Sequence, residues 1–293
     1  MSERKPTGRT GHDCDPGLVL LRNSNTYMSP LKTFMKKSLT VHSIYRLVRD
    51  ARDVPTRKWL QPEQVSTVFK VLPKTMLPMP RLFDAFEAIT AINQEGLEGD
   101  IVECGVWNGG CVGLMAIANS KTGGPRRKFH LFDSFEGLPQ PSQHDIDVIS
   151  DFKLRHPGVV LDGESQTNPF AIGACVGDSQ PAVEEFLVER LRISGDDLIF
   201  HKGWFQDTMP NCGSSIGKIA VLRIDGDWYD STRVCLEGLF DKVVRNGFVI
   251  IDDYGKFSGC RKATDEYFRR KNIQPKFDWS DAICVFFRKQ QCY

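Results

Sequence analysis

Residues 247–255 read Gly-Phe-Val-Ile-Ile-Asp-Asp-Tyr-Gly, four apolar side chains in a row followed by two adjacent carboxylates. A continuous apolar run of that length predicts a strand buried on both faces of a parallel sheet, with the acids where the strand meets its loop. Five further strand candidates lie outward from it: Asp100–Cys104, Lys128–Asp133, Asp197–His201, Ile219–Ile224 and Ile283–Phe287. Helix-length segments separate them, among them 181–192, 231–245 and 260–270. Asp230 or Ser231 is expected to cap the middle one, and Asn246-Gly247 to end it. This alternation predicts an α/β fold, a mostly parallel sheet with helices on both faces and ligands at the carboxyl ends of the strands.

Composition narrows the partners. A chain of 293 residues with 41% apolar and 26% charged residues can bury the core of one large α/β domain with an appendage. A net charge of +1 argues against nucleic acid. The nine cysteines are odd in number, scattered and free of C-x-x-C pairs, so thiols in a reducing cytoplasm are expected rather than disulfides or zinc. No stretch reaches the roughly 18 apolar residues of a membrane span, and no apolar core follows the basic N-terminus. Residues 1–70 are expected to form an N-terminal helical extension, with short basic amphipathic helices at 31–39 and 44–49 that could pack on the domain or on a second copy in a homodimer. Pro73, Pro78 and Pro80 precede a clean helical pattern at 81–92, within a main domain spanning 71–293.

The strand tips carry the chemistry. The first candidate strand runs into Glu103-Cys-Gly-Val-Trp-Asn-Gly-Gly110 and then a helix beginning near Cys111, so Gly105 and Gly109 let the backbone turn tightly and approach a ligand. The spacing is not G-x-G-x-x-G, and Glu103 would repel phosphate while attracting an ammonium or sulfonium, which suits a nucleoside with an amino-acid tail. Asp133, at the second tip, stands where a carboxylate accepts ribose hydroxyls. Asp225 and Asp227, two apart in Arg223-Ile-Asp-Gly-Asp, can face one site, and Asp252 and Asp253 end the neighbouring strand. Four carboxylates brought together repel one another unless a hard cation joins them, and all-oxygen ligation suits Mg²⁺ or a similar divalent ion. Both Asp252 and Asp253 can contribute only if the chain leaves strand geometry there. Of the histidines, His144 alone, in the long loop after the second strand, is kept as a substrate contact.

These motifs resemble the macrocin O-methyltransferase family. The matching text is Asp100-Ile-Val-Glu-Cys-Gly-Val-Trp-Asn-Gly-Gly, Leu131-Phe-Asp-Ser-Phe-Glu-Gly-Leu-Pro, Lys202-Gly-Trp-Phe-Gln-Asp-Thr-Met-Pro, Leu222-Arg-Ile-Asp-Gly-Asp-Trp-Tyr-Asp-Ser-Thr and Val249-Ile-Ile-Asp-Asp-Tyr-Gly. The resemblance implies a class I, Rossmann-like methyltransferase that uses S-adenosylmethionine to methylate a hydroxyl of a small molecule, a sugar moiety of a secondary metabolite such as an antibiotic. It implies a Mg²⁺ site at Asp225, Asp252 and Asp253, a general base at Asp227, and cofactor contacts from Thr75, Met76, Glu103, Gly105, Gly109, Cys111, Asp133, Ser134, Gly203 and Trp204. Cys111 stands where the family more often has serine. Residues 140–178, expected to cover the acceptor, match poorly, so the acceptor stays open between a sugar and another vicinal diol such as a catechol. A metal-dependent nucleotide-sugar glycosyltransferase would also use an aspartate-x-aspartate like Asp225-Gly-Asp227, but does not account for Glu103 or for the acids at 252 and 253.

Overall fold

In the computed structural model, residue 54 and residues 61–145, 175–212 and 215–290 are described. The amphipathic segments at 31–39 and 44–49 and most of the 140–178 segment lie outside the described residues. The described chain begins with α1 (Pro62–Val71), a short 3-10 turn at Leu72–Lys74 and α2 (Met79–Gln94). There follow β1 (Asp100–Cys104), α3 (Gly110–Lys121) and β2 (Phe129–Asp133). Next come α4 (Gln180–Glu185), β3 (Leu198–Lys202), α5 (Phe205–Cys212) and β4 (Ile219–Ile224). The chain closes with α6 (Tyr229–Leu239), β5 (Val243–Ile251), α7 (Ser258–Arg270), β6 (Asp278–Trp279) and β7 (Val285–Arg288).

The strands form one seven-stranded sheet in the order β3-β2-β1-β4-β5-β7-β6. β1 to β5 are parallel, whereas β7 runs antiparallel to β5 and to β6. The order reverses between β1 and β4, which opens a crevice at their carboxyl ends. Every residue of β4 is buried, as the apolar run requires of a central strand. One apolar cluster packs α1, α2 and α3 against one side of the sheet, with Leu82, Phe83, Phe86, Ile89 and Ile92 of α2 at helical spacing. A second cluster lies on the other side under α6 and α7, around Trp228, Phe240, Tyr267 and Phe268. Each large side chain so buried contributes roughly 1.5–3 kcal/mol.

Two local expectations are corrected. The helix expected over 231–245 stops at Leu239, and Val243 already belongs to β5, because the β-branched pair Val243-Val244 follows a 3-10 turn at Phe240–Lys242. Asn246 does adopt a left-handed conformation (φ 65°), but as an irregularity within β5, where its N–H bonds the carbonyl of Lys289 at 2.7 Å. Neither Asp230 nor Ser231 caps α6. The Tyr229 N–H donates instead to the buried Asp145, 3.0 Å away and from the loop after β2, whose other oxygen accepts from Ser142. No described helix is long and apolar enough to cross a membrane.

Candidate active site

A cavity of about 690 Å³ opens at the carboxyl edge of the sheet. Its wall includes Met76, Gly105, Asp133, Ser134, Gly203 and Trp204, along with Asp225, Asp227, Asp252 and Asp253. Thr75, Glu103, Gly109 and Cys111 do not line it. Thr75 is buried, and its hydroxyl accepts the Leu77 N–H at 3.1 Å, which shapes the turn that presents the exposed Met76. Gly109 adopts φ 80° as the residue before α3, and Cys111 is buried in the first turn behind it.

Gly105 shows why this turn needs glycine. Its φ is 90°, and a Cβ there would overlap the backbone carbonyl of Asp225 across the β1–β4 crevice. Asp133 ties the turn to the tip of β2: one oxygen accepts the N–H groups of Val106 and Trp107 at 2.7 and 2.9 Å, and the other that of Phe135 at 2.7 Å. Spare lone pairs leave it able to accept a ligand hydroxyl as well. We expect Gly105→Ala to combine backbone strain with overpacking, a loss of about 3–5 kcal/mol, and to abolish S-adenosylhomocysteine binding. A melting temperature within a degree of wild type together with intact binding would refute this.

The carboxylates are organised by two arginines that periodicity alone does not flag. Glu103 of β1 and Arg223 of β4 are register partners, and Arg223 Nη1 donates to Glu103 Oε1 at 2.8 Å. Arg223 Nη2 donates to Asp225 Oδ2 at 2.9 Å and to Asp252 Oδ1 at 2.8 Å. From α2, Arg81 reaches the other oxygen of Asp252 and grips Asp281 through Nε and Nη2 at 2.6 and 3.2 Å. Glu103 therefore faces a buried guanidinium, with the Cys111 thiol at the start of α3 also beside it. Burial pushes its carboxyl up to about 7 against the pull of Arg223.

Oxygens of Asp225, Asp227 and Asp253 lie within 4.8 Å of one another. Asp252 stands outside this trio with both oxygens on arginines. The chain leaves strand geometry where the acids need it to. β5 ends at Ile251, and Asp252 and Asp253 sit in the turn beyond. Asp225 and Asp227 meet through a turn rather than an extended pair, since Asp227 takes φ 55°. Burial and repulsion from Asp225 push Asp227 up to about 7, against the nearby Lys256. Asp253 is driven well above the ordinary carboxylate range by burial and by Asp227 and Asp225, and its Oδ2 is buried with no hydrogen-bond partner.

Asp178 also lines the cavity and is ion-paired with Lys74. Their ion pair spans 2.5 Å, and the Asp178 N–H donates to Asn108 Oδ1 in the β1–α3 turn. Sequence reasoning missed Arg81, Asp178, Lys256 and Asp281. Each reads as an ordinary surface charge, and Arg223, set inside the apolar run of β4, was the available signal. His144 does not line the cavity; its ring lies tilted against that of Tyr229, centres 4.1 Å apart, and meets Lys262 at 2.8 Å.

A sheet of this order, with a glycine turn after β1, an acid at the tip of β2 and a cavity at the reversal point, defines a class I methyltransferase. The chain belongs to the macrocin O-methyltransferase family: the family model described as Macrocin-O-methyltransferase (TylF) matches residues 64–289. It is 31% identical over 262 residues to the 8-demethyl-8-(2,3-dimethoxy-alpha-L-rhamnosyl)-tetracenomycin-C 4'-O-methyltransferase of Streptomyces olivaceus, covering 87% of this chain and 90% of that protein. It is 31% identical over 216 residues to the mycinamicin III 3''-O-methyltransferase of Micromonospora griseorubida, covering 73% and 78%. The solved structure of the O-methyltransferase NovP matches with a TM-score of 0.62 at 28% identity, over 74% of this chain and 83% of that one. The calicheamicin methyltransferase CalS11 shares the fold, with a TM-score of 0.59 at 17% identity over 97% and 99%. The protein is an S-adenosylmethionine-dependent O-methyltransferase.

Proposed function

We propose that this enzyme methylates a hydroxyl on the sugar moiety of a small secondary metabolite of the antibiotic type, in the cytoplasm, with a Mg²⁺-class cation held by Asp225, Asp252 and Asp253 and Asp227 as base. The observation that carries the reading is the convergence of Asp225, Asp227 and Asp253, with a partnerless buried oxygen on Asp253. Around Arg223, six carboxylates (Glu103, Asp225, Asp227, Asp252, Asp253 and Asp281) face three cations (Arg81, Arg223 and Lys256), a formal excess of three negative charges. A divalent cation offsets most of that excess, and the oxygen-only donor set suits Mg²⁺. Asp252 keeps lone pairs beyond those given to Arg81 and Arg223, so its role as a third ligand is compatible with the arginine clamp. The acceptor class follows the relatives, one of whose names specifies a rhamnosyl tetracenomycin. Buried free thiols at Cys104, Cys111, Cys235, Cys260 and Cys284 support a reducing compartment.

When bound, S-adenosylmethionine supplies an electrophilic methyl group, and the cation supplies Lewis acidity toward neighbouring hydroxyls. The protein's own share is positional. In this reading Gly105 and the glycine turn admit the cofactor, Asp133 accepts its ribose hydroxyls, and the exposed Met76 contacts it from the cavity wall. Asp227, facing the same space as Asp225 and Asp253, takes the proton from the acceptor hydroxyl as its oxygen receives the methyl group. Calorimetric titration with S-adenosylmethionine, with and without EDTA, tests the cofactor, and Mn²⁺ binding followed by electron paramagnetic resonance tests the cation. Micromolar cofactor binding that survives chelation, and Mn²⁺ affinity that falls at least tenfold in Asp253→Asn, are expected. Absence of cofactor binding would sink methyl transfer, and unchanged Mn²⁺ affinity would sink the cation site.

A further inference from the structure

Outside the Tyr254–Ser258 turn a second cavity, of about 410 Å³, is walled by Lys256, Arg261, Lys262 and Arg269 together with Tyr254 and Asp265. Residues 258, 261, 262, 265 and 269 fall on one face of α7, so the helix lays its cations along one groove. Lys256 lines this groove and the catalytic cavity alike, and its charge acts on Asp227. The groove therefore adjoins the base rather than the glycine turn.

Its wall carries a net positive charge among the described residues. Asp265 is the only acid among the described residues of the wall, and it accepts the Tyr254 hydroxyl at 2.9 Å. Glu266, on the next face, feels Lys262 and Arg269 but is bonded to the Tyr229 hydroxyl at 2.6 Å. None of Lys256, Arg261, Lys262 and Arg269 makes an ion pair among the described residues. Exposed cations nearby do: Arg270 with Glu237 at 2.7 Å, Lys271 with Asp241 at 2.7 Å and Arg233 with Glu237 at 2.9 Å. Arg261 is also held in place, with Nε donating to the Tyr254 carbonyl at 3.1 Å and its guanidinium 5.2 Å from the centre of the Tyr254 ring. Four cations gathered around a hollow, Arg261 fixed and Lys256 shared with Asp227, against one carboxylate among the described residues of the wall, leave a net positive groove suited to a compact multivalent oxyanion.

We propose that this groove binds a phosphate or diphosphate group carried by the acceptor, so that the sugar enters as a phosphorylated or nucleotide-linked sugar rather than a neutral glycoside. This rests on the reading that Asp227 serves a sugar hydroxyl. The test compares wild type with the double variant Arg261→Glu, Arg269→Glu, both exposed positions outside the methyl-transfer machinery. Each is saturated with S-adenosylhomocysteine in metal-free buffer and titrated calorimetrically with inorganic phosphate, pyrophosphate and a panel of UDP- and dTDP-hexoses. Pyrophosphate binding that weakens at least tenfold in the variant, and at least one nucleotide hexose binding more tightly than pyrophosphate with the same dependence, are expected. Silence with every anion, or equal affinities in the two proteins, overturns the proposal. Variant-sensitive pyrophosphate binding with no gain for any nucleotide hexose overturns the acceptor assignment and leaves a site for free anions. The S-adenosylhomocysteine titration separates the two levels: its failure sinks methyl transfer, whereas its success beside silent anions sinks only the phosphate site.

Discussion

Replacing Asp227 by Asn should lower kcat by roughly 10²–10⁴-fold, the usual contribution of a positioned general base, while S-adenosylhomocysteine affinity changes by no more than about threefold. Asparagine preserves the shape of the side chain and tolerates the left-handed φ of 55° that aims it into the cavity, but it cannot accept a proton. Mn²⁺ affinity decides what the carboxylate does, since Asp227 lies in the same trio as Asp225 and Asp253. A rate loss with little change in Mn²⁺ affinity assigns it the proton. Rate and Mn²⁺ affinity falling together, with activity restored by excess cation, would make it a ligand instead. An Asp227→Asn enzyme that turns over normally would remove it from both roles.

Replacing Arg223 by Met should destabilise the protein by roughly 3–5 kcal/mol, because it strands buried carboxylates that had a cation between them. For a domain of this size that is a fall in Tm of roughly 6–20 °C. Methionine fits the volume, so the effect is electrostatic rather than steric. Arg223 is 2% exposed and bonds Glu103, Asp225 and Asp252 at once. The loss should also depend on pH. Glu103 already sits at about 7 in the fold against an ordinary 4.5, so its protonated form is the one the fold favours. Stability associated with Glu103 is present below 4.5 and is lost as pH rises toward 7. Without Arg223 its folded value rises further, so the variant's deficit relative to wild type should stay level well below pH 7 and deepen as pH rises through about 7 and beyond. Adding Glu103→Gln should recover part of the loss and flatten that trend. Thermal melts of the single and double variants across pH check this, and a pH-independent deficit unaffected by Glu103→Gln would show the damage to be packing.

What could be read along the chain was whatever depends on neighbours in sequence. The apolar runs at Ile219–Ile224 and Gly247–Ile251 mark buried strands because a central strand must bury both faces, and the acids just beyond them mark the tips. Gly105 announces a tight turn because only glycine adopts its φ beside another backbone. Those local facts were sufficient for the sheet, for its carboxyl edge as the site, and for expecting Asp225, Asp227, Asp252 and Asp253 there together, but not for which three of the four converge. They were less reliable where two conformations compete, as at Val243–Gly247, where a helix extrapolated through β-branched residues that belong to β5.

Partnership across the fold is what only the tertiary structure decided. Glu103 reads as a group awaiting a cationic ligand until the β1–β4 register sets Arg223 opposite it. Asp252 reads as an equal of Asp253 until Arg81, 171 residues away in sequence, takes one of its oxygens. Asp145 caps a helix 84 residues downstream that seemed to carry its own caps at Asp230 and Ser231. The physical reason is common to all three. A charge or hydrogen-bond donor acts over a few ångströms, and in a doubly wound sheet the groups that come within that range are chosen by strand order and register, which no local stretch of sequence encodes.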